Sequence, residues 1–115
     1  MSQLPTIGHL IDGKLTDGNA DARSQSVYNP ATGRAEKRVL LADKLTVEQA
    51  IASAHAAYPA WRATPPLKRA RVMSKLKQLL EENAEQICAL VTAEHGKVLA
   101  DAMGELQRGI ENVEY

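Results

Sequence analysis

The chain has 115 residues, enough for one modest domain, and its fourteen acidic side chains balance fourteen basic ones. That balance argues against nucleic acid and against an anionic membrane as partners, since both select a basic surface. A single cysteine, Cys88, excludes an internal disulfide framework, and no stretch approaches the roughly 18 continuous apolar residues of a membrane span.

The N-terminus, MSQLPTIGHL, lacks a basic region followed by an apolar run, and its first twenty residues contain no Arg. Neither a secretory signal nor an organelle transit peptide is read there, so the cytoplasm is the expected location. Residues 1–7 read as a loose arm. In HLIDGKL, Asp12-Gly13 separates two short apolar-containing runs, and Asp-Gly suits the positive backbone angles of a tight hairpin turn. Thr16 to Ser24 is polar and reads as a loop. Ser26–Tyr28 is a short strand. Asn29-Pro30-Ala31-Thr32-Gly33 is a turn, with Pro30 fixing its own φ and Gly33 permitting a left-handed exit. Ala35 to Leu41 is a second strand; the consecutive Glu36, Lys37 and Arg38 mark it as an edge or partly exposed strand.

Helical character begins at Thr46, where Thr46 and Gln49 fit a capping box. Val47, Ala50, Ile51, Ala54 and Tyr58 form one apolar face, and Pro59 and Trp61 mark its end, with Trp61 folding back under the helix as an anchor. Thr64-Pro65-Pro66 starts the next helix, threonine as cap and proline in the first turn. That helix carries Leu67, Ala70, Met73, Leu76, Leu79 and Leu80 to about Glu82. Asn83 with Gln86 resembles a new cap, and Gly96 is a natural left-handed stop. The last helix spans Val98 to Tyr115, with Leu99, Ala102, Met103, Leu106, Ile110 and Val113 as its apolar stripe. It ends without glycine, proline or cap, so its last carbonyls have no internal partners. Aromatic residues are scarce (Trp61, Tyr28, Tyr58 and Tyr115), and with alanine and leucine in their place close helix packing is expected.

Little of the chain carries chemistry. Cys88 lies mid-helix, and His95 is about 10 Å further along the axis, too far to activate a thiol; Cys88 reads as a packed core side chain. His9, His55 and His95 lack the spacing of a helical metal site, so no metal is expected. No glycine-rich phosphate loop is present, and Gly96-Lys97 is too small a fragment of one. Glu81, Glu82, Glu85 and Glu94 read as solvation, and the basic run of Arg62, Lys68, Arg69, Arg71, Lys75 and Lys77 as a solvated helix face. Arg108 stands apart. Gly104 and Gly109 flank it, and mid-helix glycine costs about 1 kcal/mol against alanine. The pair therefore points to close approach of a backbone or a ligand, and arginine suits bidentate recognition of a carboxylate. The alternative is a surface arginine paired with Glu105, Glu111 or Asn112.

Taken in order, IDGK, YNPATG, the helix ending AAYPAW, PPLKRARVMSKLKQLLEEN, EHGK and GELQRGIENVEY resemble the N-terminus of the aldehyde dehydrogenase superfamily, from Ile7 to Tyr115. The stretch QRGIENVE is narrower and resembles the CoA-acylating methylmalonate-semialdehyde dehydrogenase branch. The resemblance implies an α/β fold in which residues 1–115 form the N-terminal part of an aldehyde dehydrogenase domain. Residues 1–45 would be an arm with short β hairpins. Residues 46–115 would be a block of about four helices packing on a Rossmann-like NAD-binding domain that this chain lacks. It also implies a reaction in which a cysteine thiolate attacks the aldehyde, hydride passes to NAD, and CoA accepts the acyl group. The remainder of the same enzyme and further copies of it are the implied partners. No catalytic or cofactor residue of the family maps onto this chain, so the chain alone is expected to bind neither NAD nor CoA and to be inactive. Arg108 is the one position carried over, as a donor to the substrate carboxylate. The competing reading is a stand-alone helical interaction module that docks through the stripe from Leu99 to Val113.

Overall fold

The computed structural model describes residues 4–17 and 21–115. Five short strands precede four helices: β1 (Thr6–Ile7), β2 (His9–Ile11), β3 (Lys14–Thr16), β4 (Ser24–Asn29), β5 (Arg34–Leu40), α1 (Lys44–Ala63), α2 (Pro66–Glu82), α3 (Ala84–His95) and α4 (Leu99–Glu114). This is the mixed α/β order expected. The chain forms two compact units. One runs to Tyr28 and resumes from Gly33 to Ala63; the other comprises Asn29–Thr32 and Thr64–Tyr115.

In the first unit, β2 and β3 form the expected antiparallel hairpin, with Leu10 opposite Leu15. Asp12 (φ 54°) and Gly13 (φ 69°) both take left-handed angles, which lets a two-residue loop follow the twist of the strands. Residues 4–7 are not a loose arm: Thr6–Ile7 is a strand, parallel to β5, with Thr6 opposite Arg38. The Arg38 amide donates to the Pro5 carbonyl at 2.9 Å. The first three residues of the expected arm, and residues 18–20 of the expected loop, lie outside the described residues. β5 is accordingly the middle strand of the order β1-β5-β4, not an edge. The charged triplet is tolerated because side chains alternate across a strand. Glu36 and Arg38 are exposed on one face while Ala35, Lys37 and Val39 are partly covered on the other. Arg38 donates through Nε to the Ser24 hydroxyl at 3.1 Å.

α1 starts two residues before the expected cap. Asp43 Oδ1 accepts from the Thr46 amide at 2.8 Å, so the aspartate satisfies a free first-turn donor and buried Thr46 occupies the third helical position. Pro59 does not end the helix, which continues to Ala63. A proline inside a helix removes one hydrogen bond and crowds the carbonyl four residues back; the alanines on both sides of it, with the highest helix propensity, keep the run intact. Trp61 therefore sits in the last turn and remains exposed instead of folding back.

In the second unit, the Asn29–Thr32 turn is held by Asn29, whose Oδ1 accepts from the Ala31 amide at 2.9 Å. α2 begins with Pro66 in its first turn, but the cap position falls on Pro65, not Thr64. Asn83 joins α2 to α3 without capping α3; its Nδ2 donates back to the Leu79 carbonyl at 2.8 Å. Gly96 ends α3 at φ 85°, its amide donating to Thr92 O at 2.8 Å, and a Cβ there would lie 3.0 Å from Pro30 Cγ. α4 packs on α2 and α3. Its fully buried centre is small: Cys88 and Ala102 at 0% exposure and Ile110 at 4%. Alanine thus provides the close packing, whereas most leucines do not; Leu67, Leu76, Leu79, Leu90 and Leu99 all remain exposed.

The exposed apolar side chains predict that the 115-residue chain by itself binds a hydrophobic dye and melts over a broad temperature range. A sharp melt without dye binding would instead identify an autonomous module. Asp43→Ala is expected to cost α1 about 1 kcal/mol, read as lost helical circular dichroism on mild heating.

Candidate functional site

α4 presents the residues around Arg108. In a helix, long side chains lean toward the N-terminus over the residue four before. Arg108 does so: its NH1 nitrogen lies 3.8 Å from where a Cβ on Gly104 would sit. A Cβ on Gly104 would make only ordinary contact with the arginine, and around Gly109 there is open space, so the close approach expected at these two glycines is not seen among the described residues.

Of the three neighbours that could have absorbed Arg108, two are engaged by other side chains and the third, Asn112, bonds to its backbone. Glu105 Oε2 accepts from Lys97 Nζ at 2.5 Å. Glu111 Oε1 accepts from Gln107 Nε2 at 3.4 Å. Asn112 donates through Nδ2 to the backbone carbonyl of Arg108 at 2.7 Å. Among the described residues the Arg108 guanidinium makes no ion pair. Of the surface-pair alternative, the structure shows Asn112 bonded to the Arg108 backbone and no ion pair to Glu105 or Glu111. Arg108 is exposed on α4, and a guanidinium carries five donors.

Lys97 follows directly on the left-handed Gly96, and its side chain is 20% exposed against 50% for Glu105. The ammonium holds the Glu105 carboxyl below its ordinary range, first through the hydrogen bond and then through its charge; desolvation opposes this, and the charges of His95 and Arg108 add to it. On the opposite end of α4, Glu114 pairs with Lys77 of α2, which also faces Glu81 at 3.7 Å. The hydrogen bond to Glu114 raises the Lys77 pKa against a desolvation that lowers it.

The other sequence candidates fall where chemistry is weak. Cys88 is fully buried between α3 and α4, its thiol donating to Met103 Sδ at 3.2 Å. It is the packed side chain expected, with no access for a substrate. His95 is the last residue of α3, as expected. Glu81, Glu82, Glu85 and Glu94 are exposed. The basic run is a solvated face except at Lys77, which joins α4, and Arg69, whose Nε is buried. His9 Nε2 and Thr92 Oγ1 are likewise buried and, like Arg69 Nε, have no hydrogen-bond partner among the described residues. No group of three or more His, Cys, Asp or Glu among the described residues could hold a metal ion. No helix of the described residues is long and apolar enough to cross a membrane. A groove of about 520 Å³ between α2 and α4 is lined by Ala70, Met73, Ser74, Lys77, Val113, Glu114 and Tyr115. The charges of Lys77 and Glu114 neutralise each other there, leaving nothing to orient a ligand.

Lys97 and Glu105 were not singled out by sequence reasoning as a pair. They are eight residues apart across a turn, and only the fold brings them together. The recognisable signal was the spacing of Glu105 and Arg108, three residues apart on one helix.

Residues 16–115 match the aldehyde dehydrogenase family model. Over 110 residues the chain is 56% identical to the malonate-semialdehyde dehydrogenase of Pseudomonas aeruginosa, covering 96% of this chain and 22% of that one. The fold is similar, at TM-score 0.93 and 61% identity, to the crystal structure of the methylmalonate-semialdehyde dehydrogenase of Oceanimonas doudoroffii, over 97% of this chain and 22% of that one. A proposed methylmalonate-semialdehyde dehydrogenase from Sinorhizobium meliloti 1021, solved in complex with NAD, is similar at TM-score 0.93 and 41% identity, over 99% of this chain and 23% of that one. The chain thus spans little more than a fifth of the length of these relatives.

The Glu105 shift fixes the sign of a pH effect. A carboxylate with a lowered folded-state pKa contributes stability above its unfolded value of about 4.3, and loses it as pH falls through the lower folded value. Lys77, raised, contributes below its unfolded value of about 10.4 and loses it as pH rises through the higher folded one. Carbon-detected NMR titration is expected to give Glu105 a midpoint below the ordinary carboxylate range, and Lys97→Met is expected to bring it back up.

Proposed function

This chain belongs to the aldehyde dehydrogenase family, and from that membership we propose that it is the N-terminal portion of an NAD-dependent enzyme oxidising malonate or methylmalonate semialdehyde to an acyl-CoA. The observation that carries the substrate class is the exposed Arg108, which makes no ion pair among the described residues, with Glu105 held by Lys97 and Glu111 by Gln107. These semialdehydes carry a carboxylate beside the reacting aldehyde. A planar guanidinium can grip that carboxylate with two parallel hydrogen bonds and orient the aldehyde carbon at the other end. The use of CoA rests on the resemblance of residues 107–114 to the acylating branch.

On this reading NAD and CoA are held by the remainder of the enzyme, and the described residues supply no phosphate-cradling loop. No glycine-rich turn opens a helix beneath a phosphate, and the left-handed glycines Gly13, Gly33 and Gly96 serve a hairpin, a turn and a helix end. Nor is there a usable thiol, since Cys88 is sealed. On this reading the nucleophile and the cofactor sites belong to the remainder of the enzyme, and this segment binds and orients the substrate's carboxylate. The exposed apolar side chains of α1 and α2 are then the groups that the remainder, or another copy of it, covers.

Arg108→Ala in the full-length enzyme is expected to raise KM for malonate semialdehyde at least about tenfold, the scale of a lost hydrogen bond between charged groups, with much less effect on propanal. Equal kinetic effects on both aldehydes would remove Arg108 from the site. The 115-residue chain alone is expected to reduce no NAD with either aldehyde.

A further inference from the structure

We propose that Lys97 is a positioning residue for Arg108: by holding Glu105, it keeps the acid one turn before the arginine from closing on the guanidinium. The proposal rests on Arg108 being the carboxylate-binding residue.

Glu105 and Arg108 are three apart on α4, a spacing at which opposite charges meet on a helix surface. Arg108 leans back toward that acid, its NH1 lying over Gly104, the residue next to Glu105. The two are electrostatically in reach of each other, because the Arg108 charge contributes to the low pKa of Glu105. Left alone, an exposed glutamate and arginine in this register would pair. The carboxylate would then occupy the donors that a substrate carboxylate needs.

Lys97 prevents this. It comes from the turn between α3 and α4, fixed by left-handed Gly96 against Pro30, and its ammonium reaches Glu105 at 2.5 Å. Its side chain is largely covered, so little freedom is lost on pairing. Gln107 acts in the same sense on the other side of Arg108 by donating to Glu111, at the longer distance of 3.4 Å. The acid–lysine pair is therefore more than a clamp between a turn and a helix: it leaves the arginine's charge uncompensated at the position where an anion is to be received.

The test uses the full-length enzyme carrying this segment, with malonate semialdehyde and propanal as paired substrates. Lys97→Met frees Glu105 to compete for Arg108, and an exposed pair of this kind predicts a rise of about two- to fivefold in KM for malonate semialdehyde relative to propanal. Adding Glu105→Gln to Lys97→Met removes the competitor and is expected to reverse that rise, which a purely structural role for Lys97 would not do. Lys97→Arg keeps the pair and is expected to keep the wild-type KM ratio. Equal changes for both aldehydes in Lys97→Met, or a double variant no better than the single one, would overturn the proposal. Arg108→Ala is run alongside: if it discriminates between the aldehydes while Lys97→Met does not, only the role of Lys97 fails. If Arg108→Ala shows no discrimination, the carboxylate-binding reading fails, and this proposal with it.

Discussion

The close approach of α3 to α4 governs the helical half of the molecule. Cys88 and Ala102 meet there with no exposed surface, and side chains this small let two helix backbones come near. Larger groups at either position would overpack the junction, at about 1–3 kcal/mol. The reversal between the helices needs Gly96, whose left-handed angle ends α3 and whose missing Cβ admits Pro30. Through these few contacts α4 is placed, and with it every residue of the candidate site. The same junction removes Cys88 from chemistry, since a thiol packed against a methionine sulfur is closed to substrate.

Once α4 is placed, a small set of charges sets its character. Lys97 ties the start of the helix to the preceding turn, and Lys77 ties its end to α2. Both lysines are more covered than the glutamates they meet. An ion pair anchored at one end and wet at the other is modest as a source of stability. Its greater effect is directional: each bridge commits a carboxylate of α4, and Arg108 remains as the cation without a partner among the described residues.

The apolar side chains tell a second story about the same helices. Ile51 and Leu67 remain more than 60% exposed, and Leu10 and Leu15 of the hairpin more than 70%. Exposed apolar residues scattered singly are normal, but here they recur in the hairpin and in all four helices, while the buried apolar set among the described residues is Cys88, Ala102 and Ile110. A chain spanning about a fifth of its relatives is consistent with such a surface.

Local signals in the sequence determined the elements whose cause is local. Asp12-Gly13 specified its hairpin and Gly96 its helix end, because both depend on backbone angles that few residues accept. The apolar period specified four helices, and the glycines beside Arg108 singled out that residue. Tertiary structure decided whatever depends on groups distant in sequence. β1 has no strand pattern of its own and exists because β5 offers a free edge, which turned β5 from an edge strand into a central one. Asp43 outcompeted Thr46 as cap because its carboxylate reached the Thr46 amide, a geometry that residue type alone does not rank. Pro59 was absorbed because alanines around it carry the helix. The partner of Glu105 was decided by the turn that brings Lys97 back across eight residues, and pairing of that kind follows from the path of the backbone, on which a linear reading is silent.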